Sequence, residues 1–108
     1  MATHAKIIGV HPIPADEPVH LIEFLVEGDG KDFDIGEVTQ EDKAQPKSNW
    51  QVPYDERLLD ETDGTARWAF FFHYLDFSKP LLTPFGSVPL PKPTQAPAHL
   101  QGIEYESP

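Results

Sequence analysis

The chain contains no cysteine among its 108 residues. This absence excludes disulfide bonds, cysteine-ligated zinc, iron–sulfur clusters and thiol nucleophiles. Because small secreted domains commonly carry disulfides, a cysteine-free domain of this size predicts a cytoplasmic protein. Residues 1–9 contain neither a basic flank nor a long apolar stretch, and we therefore expect no signal peptide there.

Basic residues are also scarce, since eight lysines and arginines face eighteen aspartates and glutamates and leave a formal net charge of −10. Binding to nucleic acids or to anionic membranes needs clustered positive charge, so neither is expected. The longest apolar runs, 24–26 and 68–72, are far shorter than the ~20 residues that cross a bilayer. The negative charge instead permits a basic protein partner, a cation, or simply good solubility.

The short motifs of the common enzyme classes are missing as well. The five histidines show no tight metal-binding spacing, and the chain has no phosphate-binding glycine loop and no Gly-x-Ser-x-Gly motif. The carboxylates of 27–42 do not fit a calcium-binding EF-hand loop that starts at Asp32, because Glu37 and Lys43 fill its glycine and glutamate positions. A loop that starts at Asp29 would place Lys31 and Phe33 at ligand positions. We therefore expect no metal and no cofactor, and a non-catalytic role is the better prediction.

What the chain does contain is a series of short segments typical of β-strands. These segments are 6–10, 19–27, 32–39, 50–54 and 65–77. The last is the strongest, because its even positions from Ala66 to Tyr74 are nearly all aromatic, as expected where a strand faces a core. We predict a mainly β domain, an antiparallel meander of about five strands curled into a barrel or a sandwich.

Two Asp-Gly dipeptides predict where the chain reverses. Asp29-Gly30 lies between two apolar runs, and this dipeptide readily takes the positive φ angles of a type I′ hairpin turn. We therefore expect 19–27 to pair antiparallel with 32–39. Asp63-Gly64 likewise precedes the aromatic strand.

At most one short helix is expected, at 55–61, where two leucines lie among charged residues that tolerate a helix. A longer helix there, or one within 39–48, would make the fold α+β, which is the alternative architecture. Six of the twelve prolines lie within 80–97. Because proline cannot donate the hydrogen bond of a central strand, we divide the chain into an acidic mainly β domain, 1–90, and a proline-rich segment, 91–108, that is partly ordered or docked.

Two groups of residues are candidate binding surfaces. The first is an acidic hairpin tip with Asp29, Asp32 and Asp34, which could equally be a solvated loop that protects a sheet edge. The second lies in 49–57, where large aromatic side chains, common hot spots of interfaces, occur beside amides, carboxylates and an arginine. Its candidate contact residues are Trp50, Gln51, Tyr54, Asp55 and Arg57. The alternative is a core tryptophan with a capping aspartate.

A catalytic alternative depends on two polar residues that interrupt apolar strands, Glu23 and His73. Each shares a strand face with aliphatic or aromatic neighbours. If the two faces meet, a partly buried Glu23–His73 pair would have the shifted pKa values that acid–base catalysis uses. If they do not meet, both residues mark the solvent face of an antiparallel sheet.

Three functions remain open on this sequence. The favoured one is a non-catalytic interaction module that presents an acidic face and an aromatic patch around Trp50 and Tyr54 to a protein partner, basic if any. The second is a small enzyme or ligand-binding β-barrel that uses Glu23 and His73. The third is a homo-oligomer in which the aromatic strand 66–77 pairs with the same strand of another copy.

Overall fold

The computed structural model describes residues 2–13, 18–35 and 51–100. Six strands and one 3₁₀ turn make up the regular structure of these ranges. The strands are β1 His4–Ile13, β2 Val19–Glu27, β3 Asp55–Thr62, β4 Thr65–His73, β5 Leu81–Thr83 and β6 Gly86–Val88, and the turn is Ala98–Leu100. The predicted mainly β, antiparallel class is thereby confirmed. No helix in the described ranges is long and apolar enough to cross a membrane.

The first four strands form one open antiparallel sheet in the order β1-β2-β4-β3, and β5 pairs with β6 in a small second sheet. The large sheet therefore consists of two hairpins side by side and does not close into a barrel. Its central strand β4 has β2 on one side and β3 on the other. Because both edges of β4 are already paired, the expected pairing of this aromatic strand with another copy would have to displace a neighbour.

Both faces of the central strands are buried, which explains why their sequences are almost continuously apolar. The larger cluster, with Phe24, Phe70 and Phe72, is covered by Phe33 of the loop after β2 and by Leu81 of β5. The rings of Phe24 and Phe70 meet edge to face, with centroids 5.5 Å apart. The predicted burial of the even positions is therefore confirmed for Ala66, Phe70 and Phe72, whereas Trp68 is half-buried and Tyr74 is 65% exposed. On the opposite face, Ala69 and Phe71 pack into a second cluster.

The predicted pairing of 19–27 with 32–39 is wrong. β2 already pairs with β1 and β4, and residues 32–35, the part of that segment within the described ranges, belong to no strand. Gly30 has no positive φ angle, so it is not needed for a type I′ turn. It is needed because a Cβ there would lie 2.6 Å from the carbonyl oxygen of Val26 and closer still to a backbone nitrogen of β4.

The positive φ angles of a type I′ turn occur instead at Asp63-Gly64, where they are 52° and 80°. This dipeptide joins β3 to β4. This tight turn folds the preceding segment back along β4. The predicted helix at 55–61 is therefore wrong, because those residues form β3. Burial in β3 alternates from Asp55 to Asp60 with the period of two that defines a strand.

The remaining predicted boundaries are also adjusted. The aromatic strand ends at His73 rather than at 77, because Tyr74 has a φ of 53°, which a strand cannot contain. Residues 51–54 approach β4 without forming a strand. Trp50 and the loop predicted at 39–48 lie outside the described residues.

The proline-rich segment 91–100 lies along the second face of the large sheet. Thr94 donates its backbone N–H to the carbonyl oxygen of Val10 at 2.9 Å. Ala96 and Leu100 pack into the apolar cluster that contains Leu21 and Phe71. The division of the chain at residue 90 stays a prediction, but 91–100 is in contact with the sheet.

Candidate functional site

Residues 51–56 enter β3 beside a surface cavity that contains several of the predicted binding residues. The backbone N–H of Tyr54 donates to the carbonyl oxygen of Phe71 at 2.9 Å, which fixes this segment against β4. The cavity has a volume of about 270 Å³. Its lining residues are Asp34, Val52, Pro53, Tyr54, Asp55 and Glu56. We call this feature the acidic cleft, because three of its six lining residues are carboxylates.

The carboxylates of the acidic cleft act on each other. The pKa of Glu56 is raised, first by partial burial and then by the negative charges of Asp34 and Asp55. A raised carboxyl pKa means that the surroundings of Glu56 disfavour another negative charge. A positive charge placed near Glu56 would therefore reduce the repulsion among these carboxylates.

The aromatic wall of the acidic cleft is held in one orientation. The Tyr54 ring stacks on the ring of His73 with a centroid distance of 4.0 Å and an angle of 17°. Asp55 lies 3.7 Å from the Nε of Arg57, whose guanidinium is 5.7 Å from the centre of the Phe71 ring. Arg57 thus positions one carboxylate and covers an aromatic ring, which is a supporting role next to the cleft.

The structure brings together some of the predicted binding residues and separates others. Asp34 of the acidic loop joins Tyr54 and Asp55 in one cleft, although these residues belonged to two predicted surfaces. Asp32 lines a different cavity of about 450 Å³, which also contains Phe33 and Phe85. Asp34 borders both cavities, so they adjoin each other.

Two further predicted residues have structural contacts. The carbonyl oxygen of Asp29 accepts the backbone N–H of Asp32 at 2.9 Å and so shapes the loop. The side chain of Gln51 binds the backbone of Asp76 twice, donating to its carbonyl oxygen at 3.1 Å and accepting its N–H at 2.7 Å. Gln51 therefore joins the approach to β3 with the chain that follows β4.

The second polar site surrounds Glu23, the residue that the catalytic alternative singled out. Glu23 is only 2% exposed, so it does not mark a solvent face as an antiparallel alternation would predict. The Nε2–H of His99 donates to its two carboxylate oxygens at 2.9 and 3.0 Å. An Arg67 guanidinium nitrogen lies 3.9 Å from Glu23, and Arg67 itself binds Asp60 through its Nε at 2.8 Å.

The hypothetical Glu23–His73 pair does not form. Along β2, Glu23 lies opposite Ala69, whereas His73 lies opposite Val19. A separation of four strand residues corresponds to about 13 Å. Glu23 and His73 lie on one face of the sheet, but this distance along the strands keeps the two side chains apart.

Glu56 of the acidic cleft and His99 of the Glu23 site were not among the sequence-based candidates. Glu56 could have been found from its place beside Tyr54 and Asp55, since β3 begins there. His99 carries no local signal, because it reaches Glu23 across 76 positions of sequence. Only the position of the C-terminal segment on the sheet reveals that contact.

Neither site brings together enough metal-ligating side chains of the described residues to form a metal centre. Among residues 2–13, 18–35 and 51–100, no three histidine, aspartate or glutamate side chains converge closely enough to hold a metal ion. Comparison of the chain with protein families, characterised proteins and solved structures finds no match. The functional proposal therefore depends on the geometry of the two sites alone.

Proposed function

We propose that this protein is a cytoplasmic, non-catalytic interaction module that binds a basic protein partner through the acidic cleft. The observation that carries the proposal is that Asp34, Asp55 and Glu56 line one cavity beside Tyr54. The pKa of Glu56, raised by burial and by Asp34 and Asp55, is consistent with this concentration of negative charge. A lysine or arginine side chain in the cleft would offset this repulsion and gain hydrogen bonds to carboxylates. Such complementary charge is how interfaces select partners.

The size of the acidic cleft favours a side chain over a free metabolite. Its volume of about 270 Å³ is below the ~300–1,000 Å³ of typical small-molecule pockets. The fixed ring of Tyr54 and the 67% exposed Val52 supply apolar contacts for the aliphatic stem of a basic residue. One basic side chain of a partner would thus be held at its stem and at its charge.

The whole molecule supports the same choice of partner. A net charge of −10 produces a negative potential that attracts a basic protein and repels an acidic one. The catalytic alternative has less support, because Glu23 and His73 are separate and His99 covers the Glu23 carboxylate. We therefore rank binding above catalysis.

The experiment that tests the proposal uses capped tripeptides, Gly-Arg-Gly and Gly-Lys-Gly, titrated into the isotope-labelled protein and followed by NMR. We expect chemical-shift changes centred on 52–56 and weaker binding as salt rises from about 0.05 to 0.5 M. Glu56→Gln should weaken binding by up to about fivefold, the range of one exposed ion pair. A capped Gly-Glu-Gly peptide should leave the same signals unmoved.

The matched control is Glu61→Gln, which removes the same charge from the far end of β3. If Glu56→Gln and Glu61→Gln change the affinity equally, only the net charge matters and the acidic cleft is not the binding site. Shift changes that avoid residues 52–56 altogether would likewise refute the proposal.

A further inference from the structure

The second face of the sheet carries a charged group in an otherwise apolar cluster. Glu23 lies on the same strand face as Val19 and Leu21, which pack with Phe71 and Leu100. A buried carboxylate is unfavourable unless a donor or a positive charge compensates it. A leucine at this position would fill an apolar face without that penalty. The carboxylate therefore indicates that this face selects a covering segment that carries a hydrogen-bond donor or a positive charge.

The two neighbours of Glu23 across the sheet are small, which leaves room above the carboxylate. Gly9 lies opposite Glu23 on β1, and Ala69 lies opposite it on β4. The imidazole of His11 fills the space beside Gly9, since a Cβ there would lie 2.5 Å from its Nε2. We use the word slot for the place of the Glu23 carboxylate between Gly9, Ala69 and the His11 ring.

The chain's own C-terminal segment occupies this slot as a peptide ligand would. Backbone contacts hold one end, where the Nδ1–H of His11 donates to the carbonyl oxygen of Thr94 at 2.9 Å. Ala96 and Leu100 are the apolar anchors, and His99 enters the slot and binds Glu23. Hydrogen bonds to a peptide main chain and sites for individual side chains are what peptide-binding surfaces use, and here His99 and Leu100 are presented by the 3₁₀ turn Ala98–Leu100.

We propose that this face is a second interaction surface, a peptide groove that residues 94–100 fill in the isolated protein. Its outside ligand is a segment of a partner protein that forms the same short 3₁₀ turn and in which a basic residue is followed directly by a large aliphatic residue. Charge complementarity to the buried Glu23 requires the basic residue, and the pocket of Leu100 beside Phe71 requires the aliphatic one. This surface is separate from the acidic cleft.

The resident segment competes with any outside ligand, because a tethered segment has an effective concentration on the order of millimolar. Loosening the segment should therefore expose the groove. Leu100→Ala removes its most buried anchor, which is 3% exposed. We expect faster amide hydrogen exchange at 94–100 in this variant, while exchange in β2 and β4 stays slow.

The binding experiment uses a fluorescent peptide with the sequence of residues 91–100, titrated into the full-length wild type and the Leu100→Ala variant. The variant should bind it at least tenfold more tightly than the wild type. Adding Glu23→Gln to the variant should reduce the affinity about tenfold, and so should replacing the histidine of the peptide by alanine. Glu61→Gln, which removes one negative charge outside both the groove and the acidic cleft, should change nothing here.

Three results would overturn the proposal. In the first, amide exchange at 94–100 becomes faster in Leu100→Ala but the variant does not bind the peptide. In the second, a peptide with the same residues in scrambled order binds as tightly. The third is dimerisation of Leu100→Ala in sedimentation, because it would make a second copy of the chain the occupant. If Leu100→Ala fails to fold, His99→Ala replaces it, with a peptide that retains the histidine. If neither variant speeds exchange at 94–100, these anchors do not hold the segment and the groove does not exist.

Discussion

Replacing His99 by alanine should destabilise the protein although the side chain is 43% exposed. His99→Ala removes the only hydrogen-bond donor that the structure gives the Glu23 carboxylate within the described residues, at 2.9 and 3.0 Å. A hydrogen bond to a charged group contributes about 1.5–3 kcal/mol, and breaking a fully buried pair costs about 3–5 kcal/mol. Water can reach the vacated position, and Arg67 remains 3.9 Å away, so we expect the lower range, about 2 kcal/mol.

The measurement is urea unfolding followed by tryptophan fluorescence, together with the melting temperature. A loss of about 2 kcal/mol corresponds to a decrease in Tm of about 8 °C for a domain of this size. Glu23→Gln should cost less, about 1 kcal/mol, because the amide oxygen still accepts from His99. The double variant Glu23→Leu/His99→Ala should recover at least about 1 kcal/mol relative to His99→Ala, since no unpaired buried charge is left.

A double-mutant cycle made of Glu23→Leu, His99→Ala and the double variant decides whether the pair is coupled. If His99→Ala costs less than about 0.5 kcal/mol, or if the effects of the two substitutions simply add, Glu23 and His99 do not stabilise each other. The buried carboxylate would then be compensated by another group, and the reasoning about the slot would be refuted.

Three further substitutions test other parts of the structure. Because its pKa is raised above 4.5, ionised Glu56 lowers folding stability as pH rises through that value. Glu56→Gln should therefore increase the unfolding free energy at pH 7 by under about 1 kcal/mol and leave it unchanged at pH 3, whereas equal effects at both pH values would contradict the charge repulsion. Burial lowers the pKa of His20 below 6.5, so the unfolded chain takes up the proton first and stability should fall below pH 6.5; His20→Leu should flatten this slope in urea titrations, and an unchanged slope would refute it. Gly30→Ala should lose more stability than Gly64→Ala, because a Cβ at position 30 clashes with backbone atoms. A Cβ at position 64 meets no other atom and costs only about 1 kcal/mol of backbone strain, so equal losses would contradict that packing.

The sequence supported the acidic cleft only in part. Tyr54 and Asp55 were candidates because aromatic and charged residues lie close together there, and they do line one cavity. Asp34 was assigned to a hairpin tip, because an Asp-Gly dipeptide between apolar runs usually forms one. That dipeptide instead brings the loop back over the sheet, where Gly30 packs against β4 and its carbonyl oxygen accepts the indole N–H of Trp68 at 2.7 Å.

The Glu23 site shows why partners of buried polar residues are hard to predict. An ionisable residue in an apolar strand needs a partner if it is buried, and Glu23 was a candidate from the sequence for this reason. The choice among five histidines depends on which segment covers that face. His73 was chosen from the sequence because, like Glu23, it interrupts an apolar strand. The C-terminal segment instead brings His99 onto the carboxylate.

By itself, the sequence determined that the domain is mainly β, acidic and cysteine-free, and that the aromatic strand faces a core. Those properties follow from composition and from local alternation of side chains, which do not depend on distant contacts. Only the tertiary structure decided that 55–62 is a strand and that Glu23 meets His99. Strand pairing and the docking of 91–100 join residues that are far apart in the chain. Such contacts contribute free energy only when the chain has folded, and no local sequence pattern reveals them.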